Sequence, residues 1–180
     1  MTESLSINSQ DVNQMRVRYF YEYGTTLNGL MKHHNVDPID YLEFVHDIPL
    51  EDFIVPNQIL GDFFEKASST NVIFSNAYYP YIKKILSLLS VDEYFDNIHD
   101  IVDFEFTPKP FALPYKKVIE KYRFKPEDII LIDDSVPNLN KAKEFNMKTI
   151  FVGNKKMDEF DFSINKIEDI IDIYEKLIDF

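Results

Sequence analysis

The chain of 180 residues contains no cysteine and no tryptophan, and it has only 4 glycines. Without cysteine there is no disulfide framework, no thiolate nucleophile and no structural zinc site of the cysteine type. So few glycines, spread along the chain, exclude the glycine-rich phosphate loops of dinucleotide-binding and P-loop proteins. Positive charge is scarce too: 19 Lys and Arg stand against 31 Asp and Glu, a formal net charge of -12. Such a surface repels phosphate backbones and anionic lipid, so neither nucleic acid nor a membrane surface is expected as a partner. No run approaches the roughly 20 apolar residues of a membrane span. Residues 1–10 hold no apolar signal core, which makes the cytoplasm the expected location. His33, His34, His46 and His99 fall at no metal-ligand spacing.

What the chain does have is apolar and aromatic. Hydrophobic residues make up 45%, with 16 Phe and 11 Tyr, enough for the packed core of one domain or of one domain with a modest insertion. The rhythm changes near Pro56. Before it the chain reads as helices. Asn8 with Asp11 forms a capping box ahead of an aromatic-rich segment that runs to about Tyr23. Asp37-Pro38, a cap residue followed by proline at the first helical position, starts a second helix expected to turn Ile39, Leu42, Phe44 and Val45 inward. Tyr19, Phe20, Tyr21 and Tyr23 are expected as core between helices, the ordinary use of such side chains, rather than as a stacking site for a base.

After Pro56 helix and strand alternate. Helices are expected over 58–67, 80–89, 114–122, 139–145 and 164–177, and strands over 71–74, 98–104, 129–132 and 148–152. This alternation predicts an α/β fold of Rossmann-like type, a parallel sheet covered by helices on both faces. In such sheets chemistry collects at the carboxyl ends of the strands. The strand ends here are polar: Ser75-Asn76-Ala77 after the first, Lys109-Pro110 in the loop after the second, and Asp133-Asp134-Ser135 with Asn138 after the third. A hydroxyl, an ammonium and a carboxylate pair on one rim suit a phosphoryl group with Mg²⁺. Taken singly, each has a plainer reading: Ser75 as a helix cap, Lys109 as a solvated loop charge, the acidic pair as the start of the next helix.

The order Val72-Ile-Phe-Ser75-Asn76-Ala77, then Lys109-Pro110, then Ile132-Asp133-Asp134-Ser135-x-x-Asn138 resembles motifs two, three and four of the haloacid dehalogenase-like (HAD) superfamily. The helical part, with Tyr19-Phe-Tyr-Glu-Tyr-Gly24, Gly29-Leu30, His33-His34-Asn35-Val36 and Tyr41, is similar to the cap of the pyrimidine 5'-nucleotidase-like branch. The resemblance implies a cap region over 1–56, an α/β phosphohydrolase core over 57–155, and a C-terminal helix over 156–180 that completes the core. It implies an Mg²⁺-dependent phosphomonoester hydrolase of nucleotidase-like specificity. Ser75 and Asn76 would bind the phosphoryl group, Lys109 would stabilise its charge, and Asp133 and Asp134 would serve the metal. Lys109 and Ser75 are thus the catalytic candidates, and the partner is a small phosphorylated metabolite such as a nucleoside monophosphate.

The family's first motif, an apolar strand ending Asp-x-Asp-x-Thr, has no counterpart. Its first Asp attacks phosphorus and its second is the general acid and base. Asp11-Val12-Asn13-Gln14 is the nearest imitation, but Ser9-Gln10 precedes it where apolar residues are required. The chain is therefore expected to be truncated or catalytically silent, with Mg²⁺ bound weakly. In the family the missing strand lies between the strands ending at Ser75 and Asp133. Leaving out about five residues there orphans about ten backbone groups at ~1–3 kcal/mol each, comparable with the ~5–15 kcal/mol stability of a domain. The neighbours must close up, or another segment must fill the gap, or an upstream extension supplies it; the extension is the expectation. The alternatives are a non-catalytic binding or scaffold protein of the same fold and, by a partial likeness of motifs, a phosphosignalling receiver. The receiver places its acidic pair first in the chain, whereas Asp133-Asp134 comes last, with no strand supplying a phosphoacceptor.

Overall fold

The computed structural model of the chain describes residues 9–178. Asn8, and with it the expected capping box, lies outside them. Three helices come first: α1 (Ser9–Tyr23), α2 (Thr26–His34) and α3 (Pro38–His46). α2 was not expected, because Asn28, Gly29, His33 and His34 interrupt any apolar stripe. It is fixed at its start by Thr25, whose hydroxyl accepts from the Asn28 amide at 3.1 Å. Asp37 caps α3 as its sequence predicts, accepting from the amides of Ile39 and Asp40.

The helical faces need two corrections. Of the aromatic run only Tyr19 is core, 2% exposed, whereas Tyr21 is 83% exposed and Phe20 points out with it. At about 100° per residue, Tyr19, Phe20 and Tyr21 spread over about 200° of the helix, so they cannot all turn to the core. In α3 Leu42 is buried, but Phe44 is 73% exposed and Val45 also lies outward. α1 and α2 approach closely at Gly29, where a β-carbon would come within 2.1 Å of the Tyr19 ring.

The remaining elements are α4 (Gln58–Lys66), β1 (Val72–Phe74), α5 (Tyr79–Leu88), β2 (Asn97–His99), α6 (Ala112–Tyr122), β3 (Ile130–Asp133), α7 (Val136–Glu144), β4 (Lys148–Val152), β5 (Phe162–Ile164) and α8 (Ile170–Ile178). All strand pairs are parallel: β1 with β2, β3 with β4, and β4 with β5. Leu131 and Phe151 face a cluster with Tyr115, Leu139 and Ala142, while Ile130, Ile132 and Ile150 face Phe63, Ile164 and Ile170. Alternate residues thus meet helices on opposite faces, the α/β arrangement the sequence predicts.

Two expected elements are shorter. The strand read over 98–104 stops at His99, because the buried Asp100 carboxylate accepts from the amides of Val102 and Asp103 and turns the chain. Ile101 and Phe104 are buried from that turn, which is why the segment looked like a strand. The helix read over 164–177 begins only at Ile170, since Phe162–Ile164 instead forms β5 beside β4.

Among the described residues β1 and β3 do not pair, so the strands form one sheet of two and one of three. The neighbours of the expected missing strand have therefore not closed up, and no other described strand fills the space between them.

Candidate functional site

Lys109 joins the two sheets. Its side chain is 7% exposed, and its ammonium donates at 2.7 Å both to the carbonyl of Phe74, the last residue of β1, and to Oδ2 of Asp133, the last residue of β3. The Phe74 ring lies 4.6 Å beneath the ammonium. The loop that carries Lys109 is clamped by Asn76: the Lys109 amide donates to Asn76 Oδ1 at 2.7 Å, and Asn76 Nδ2 donates to the Lys109 carbonyl at 3.0 Å. An amide at the end of one strand thus fixes the lysine of another loop.

Asp133 is held from its other side. Oδ1 accepts from the Ser135 amide at 2.8 Å, and Asn138 Nδ2 lies 3.1 Å from both carboxylate oxygens. Asn138 is itself positioned from the core, its carbonyl accepting from the buried Tyr115 hydroxyl at 2.8 Å. Burial, and then the Asp133 charge, push the Tyr115 hydroxyl far above the ordinary tyrosine range, so it stays a protonated donor.

Ser75 sits on the same rim. Its amide donates to the His99 carbonyl at 2.9 Å and its Oγ accepts from the Ala77 amide at 3.0 Å. The hydroxyl therefore shapes a local turn rather than capping α5, whose cap is Tyr78, and its own hydrogen is left to donate. Asp134 is exposed and, among the described residues, takes part in no hydrogen bond or ion pair. The structure thus brings Asn76, Lys109, Asp133 and Asn138 into one bonded cluster, with Ser75 beside it and Asp134 apart.

Mg²⁺ takes oxygen ligands in near-octahedral geometry. Asp133 already meets Lys109, Ser135 and Asn138, so little of its lone-pair capacity is free. Among the described residues no group of three or more His, Asp or Glu is placed to hold a metal. Asp133 and Asp134 alone do not make up a magnesium site.

Two features escaped sequence reasoning. Asp100 is buried at the end of β2 and ties the amides of Tyr79, Val102 and Asp103, ordering the loops on this rim. The signal was an Asp between His99 and the apolar Ile101-Val102, hidden by reading the strand as continuing. The second is a cavity of about 560 Å³ between α1, α2 and the loop that carries Lys109. Tyr23, Met31 and Lys32 line it from the helices, and Thr107, Pro108 and Phe111 from the loop. The helices rest on the loop at Gly24, whose φ of +81° suits glycine and where a β-carbon would come within 2.6 Å of the Phe111 ring.

Comparison with known proteins gives concordant matches. Residues 57–152 match the family model described as haloacid dehalogenase-like hydrolase. A glyceraldehyde 3-phosphate phosphatase from Pyrococcus furiosus is 31% identical over 90 residues, which are 49% of this chain. The chain spans only 37% of the length of that curated relative. Among solved structures, a HAD-hydrolase from Bacillus subtilis bound to magnesium superposes with a TM-score of 0.62 at 16% identity, covering 94% of this chain and 84% of that one. A predicted phosphoglycolate phosphatase from Haemophilus somnus superposes with a TM-score of 0.55 at 16% identity, over 65% of this chain and 54% of that one. At these identities the two structures speak for the fold alone.

Proposed function

The chain belongs to the haloacid dehalogenase-like hydrolases, and from that premise we propose that the rim of Ser75, Asn76, Lys109 and Asp133 is the phosphoryl-binding part of a phosphomonoester hydrolase site. The observation that carries this reading is the Lys109 ammonium, buried and bonded to both strand ends at 2.7 Å. A desolvated, preorganised cation at a strand rim is suited to charge on a phosphoryl group. The Ser75 hydroxyl beside it can donate to a phosphoryl oxygen.

The described residues bind; they do not attack. Asp133 is occupied by three partners, and the recorded contact of the Ser75 hydroxyl is an amide rather than a base. The unpaired edges of β1 and β3 support a further parallel strand between them, ending beside Lys109 in the nucleophilic Asp of the family's first motif. Such a strand would pair the open backbone groups and supply the missing carboxylate. Magnesium is the cofactor the family implies; Asp133 and Asp134 would hold it together with the carboxylate of that strand, and only weakly without it.

We assign residues 1–56 to a cap, 57–155 to the core, and 156–180 to the segment that completes it. The cavity under the cap supports a substrate with a planar or apolar organic group, because Tyr23, Met31, Pro108 and Phe111 line it. A nucleoside monophosphate uses such walls, whereas three-carbon phosphates do not need them. A second reading, a binding or scaffold protein without turnover, draws on the saturated Lys109–Asp133 pair and the lack of an attacking group among the described residues. Phosphate release from a panel of monophosphates with Mg²⁺, alongside amide shifts on adding inorganic phosphate, tests both. Shifts at 75–77, 109 and 133–138 without turnover support the site and the silent reading; shifts that avoid those residues overturn the site.

A further inference from the structure

A second cavity, of about 280 Å³, lies between the turn after β2 and helix α6. His99, Asp103 and Phe104 line it on one side and Lys117, Val118 and Lys121 on the other. It does not share a lining residue with the cavity under the cap, and no part of the proposed hydrolysis uses it.

Three observations make this a built site rather than a surface dent. The His99 ring is buried and locked at both nitrogens, Nδ1 to Asp103 Oδ2 at 2.9 Å and Nε2 to the Tyr122 hydroxyl at 2.7 Å. The one carboxylate that lines the cavity is therefore already engaged by the imidazole. Lys117 and Lys121, four residues apart, present two ammonium groups from one face of α6. Lys117 donates to the Asp103 carbonyl at 3.0 Å and to Glu105 at 2.7 Å, but the Glu105 side chain is 76% exposed, so water competes for that pair. Lys121 has no ion pair among the described residues; it lies 5.7 Å from the Tyr122 ring centroid. In a chain of net charge -12, the lining of this cavity sets two lysines against one carboxylate that is already engaged, and Glu105 beside Lys117 is open to water.

We propose that this cavity binds a small polyoxygen anion, the phosphate or carboxylate group of a metabolite, with Lys117 and Lys121 as its cationic arms. Phe104 and Val118 offer an apolar wall to the carbon body of such a ligand. The volume holds several waters at ~30 Å³ each, so a bare anion leaves room for that body. The site also borders the proposed active rim. The carbonyl of His99 accepts from the amide of Ser75 at 2.9 Å, so an anion that shifts the His99 ring acts one hydrogen bond from the phosphoryl-binding serine.

The test uses the whole chain with inorganic phosphate and malonate as separate probes, followed by amide chemical shifts. Saturable shifts centred on 99–104 and 117–122 are expected. Phosphate alone doing this identifies a phosphate site, malonate alone or both together a general carboxylate-compatible site, and either supports the proposal. Lys117→Ala and Lys121→Ala should each weaken binding at least tenfold, while Lys83→Ala, an exposed lysine paired with Asp92 elsewhere, should leave it unchanged. Shifts confined to 75–77, 109 and 133–138 would place the anion at the catalytic rim only and overturn this inference while supporting the hydrolase reading. Binding at 99–104 that ignores both lysine substitutions would overturn it as well.

Discussion

The Lys109–Asp133 pair has both side chains almost wholly out of water, 7% and 8% exposed. Removing one member of such a pair leaves an uncompensated buried charge, at a cost of about 3–5 kcal/mol. Lys109→Met should therefore destabilise the protein by that order in chemical denaturation, and adding Asp133→Asn should recover part of the loss. Full additivity of the two changes would show that the residues are not coupled. Asn138→Ala should cost less, about 1–2 kcal/mol, because it removes one donor from a carboxylate that keeps Lys109 and Ser135. Asp133 was legible because it ends the apolar run that becomes β3, and Lys109 and Asn138 were legible by their order in the chain relative to it. Their bonding was not. Nothing in the order Asp133-Asp134 says that the first carboxylate saturates itself on Lys109, Ser135 and Asn138 while the second faces solvent.

At the scale of elements, sequence patterns worked where one face is buried and failed where packing decides. β4 and the α3 cap follow directly from an apolar run and from Asp37-Pro38. β5 is a three-residue edge strand that the longer apolar pattern over 164–177 absorbed, and α2 is a helix held by its packing on Tyr19. That packing gives a prediction: Gly29→Ala introduces a β-carbon 2.1 Å from the Tyr19 ring, and overpacking of this kind costs ~1–3 kcal/mol. A melting temperature unchanged by Gly29→Ala would count against the α1–α2 contact. The contact between α3 and α5 carries a pH dependence. His46 stacks on Tyr81 with ring centroids 4.2 Å apart, and its Nδ1 is buried without a partner. Burial lowers the His46 pKa, and the nearby Leu42 backbone opposes this only in part. The folded state therefore binds fewer protons than the unfolded chain below about pH 6.5. This contribution to stability is complete above that pH and is lost as pH falls toward the lowered value. His46→Gln should flatten the acid side of the melting-temperature profile, and an unchanged slope would contradict the assignment.

At the scale of the molecule, the division between β1–β2 and β3–β4–β5 bears on stability and on the proposed activity. β4 is the described strand with partners on both sides, so its amides over 148–152 should exchange most slowly, ahead of those of β1 and β3 on the open edges. The same division predicts catalytic silence with conditional rescue. On the proposed reading Lys109, Ser75 and Asp133 hold and polarise a phosphate ester, but among the described residues water is then the only attacker and no acid serves the leaving group. The 180-residue chain should show no metal-dependent phosphate release above background from pyrimidine monophosphates. Adding an N-terminal strand of the form apolar-apolar-apolar-Asp-x-Asp-x-Thr should slow exchange at the β1 and β3 edges and bring turnover together. Lys109→Ala in the extended protein should abolish that turnover, and Asp133→Asn should reduce it along with Mg²⁺ affinity. Slower exchange without turnover would mean that the strand docks but the rim is built only to bind. Turnover by the unextended chain, lost on Asp133→Asn, would place an attacking group within residues 9–178, with Asp11 the first candidate.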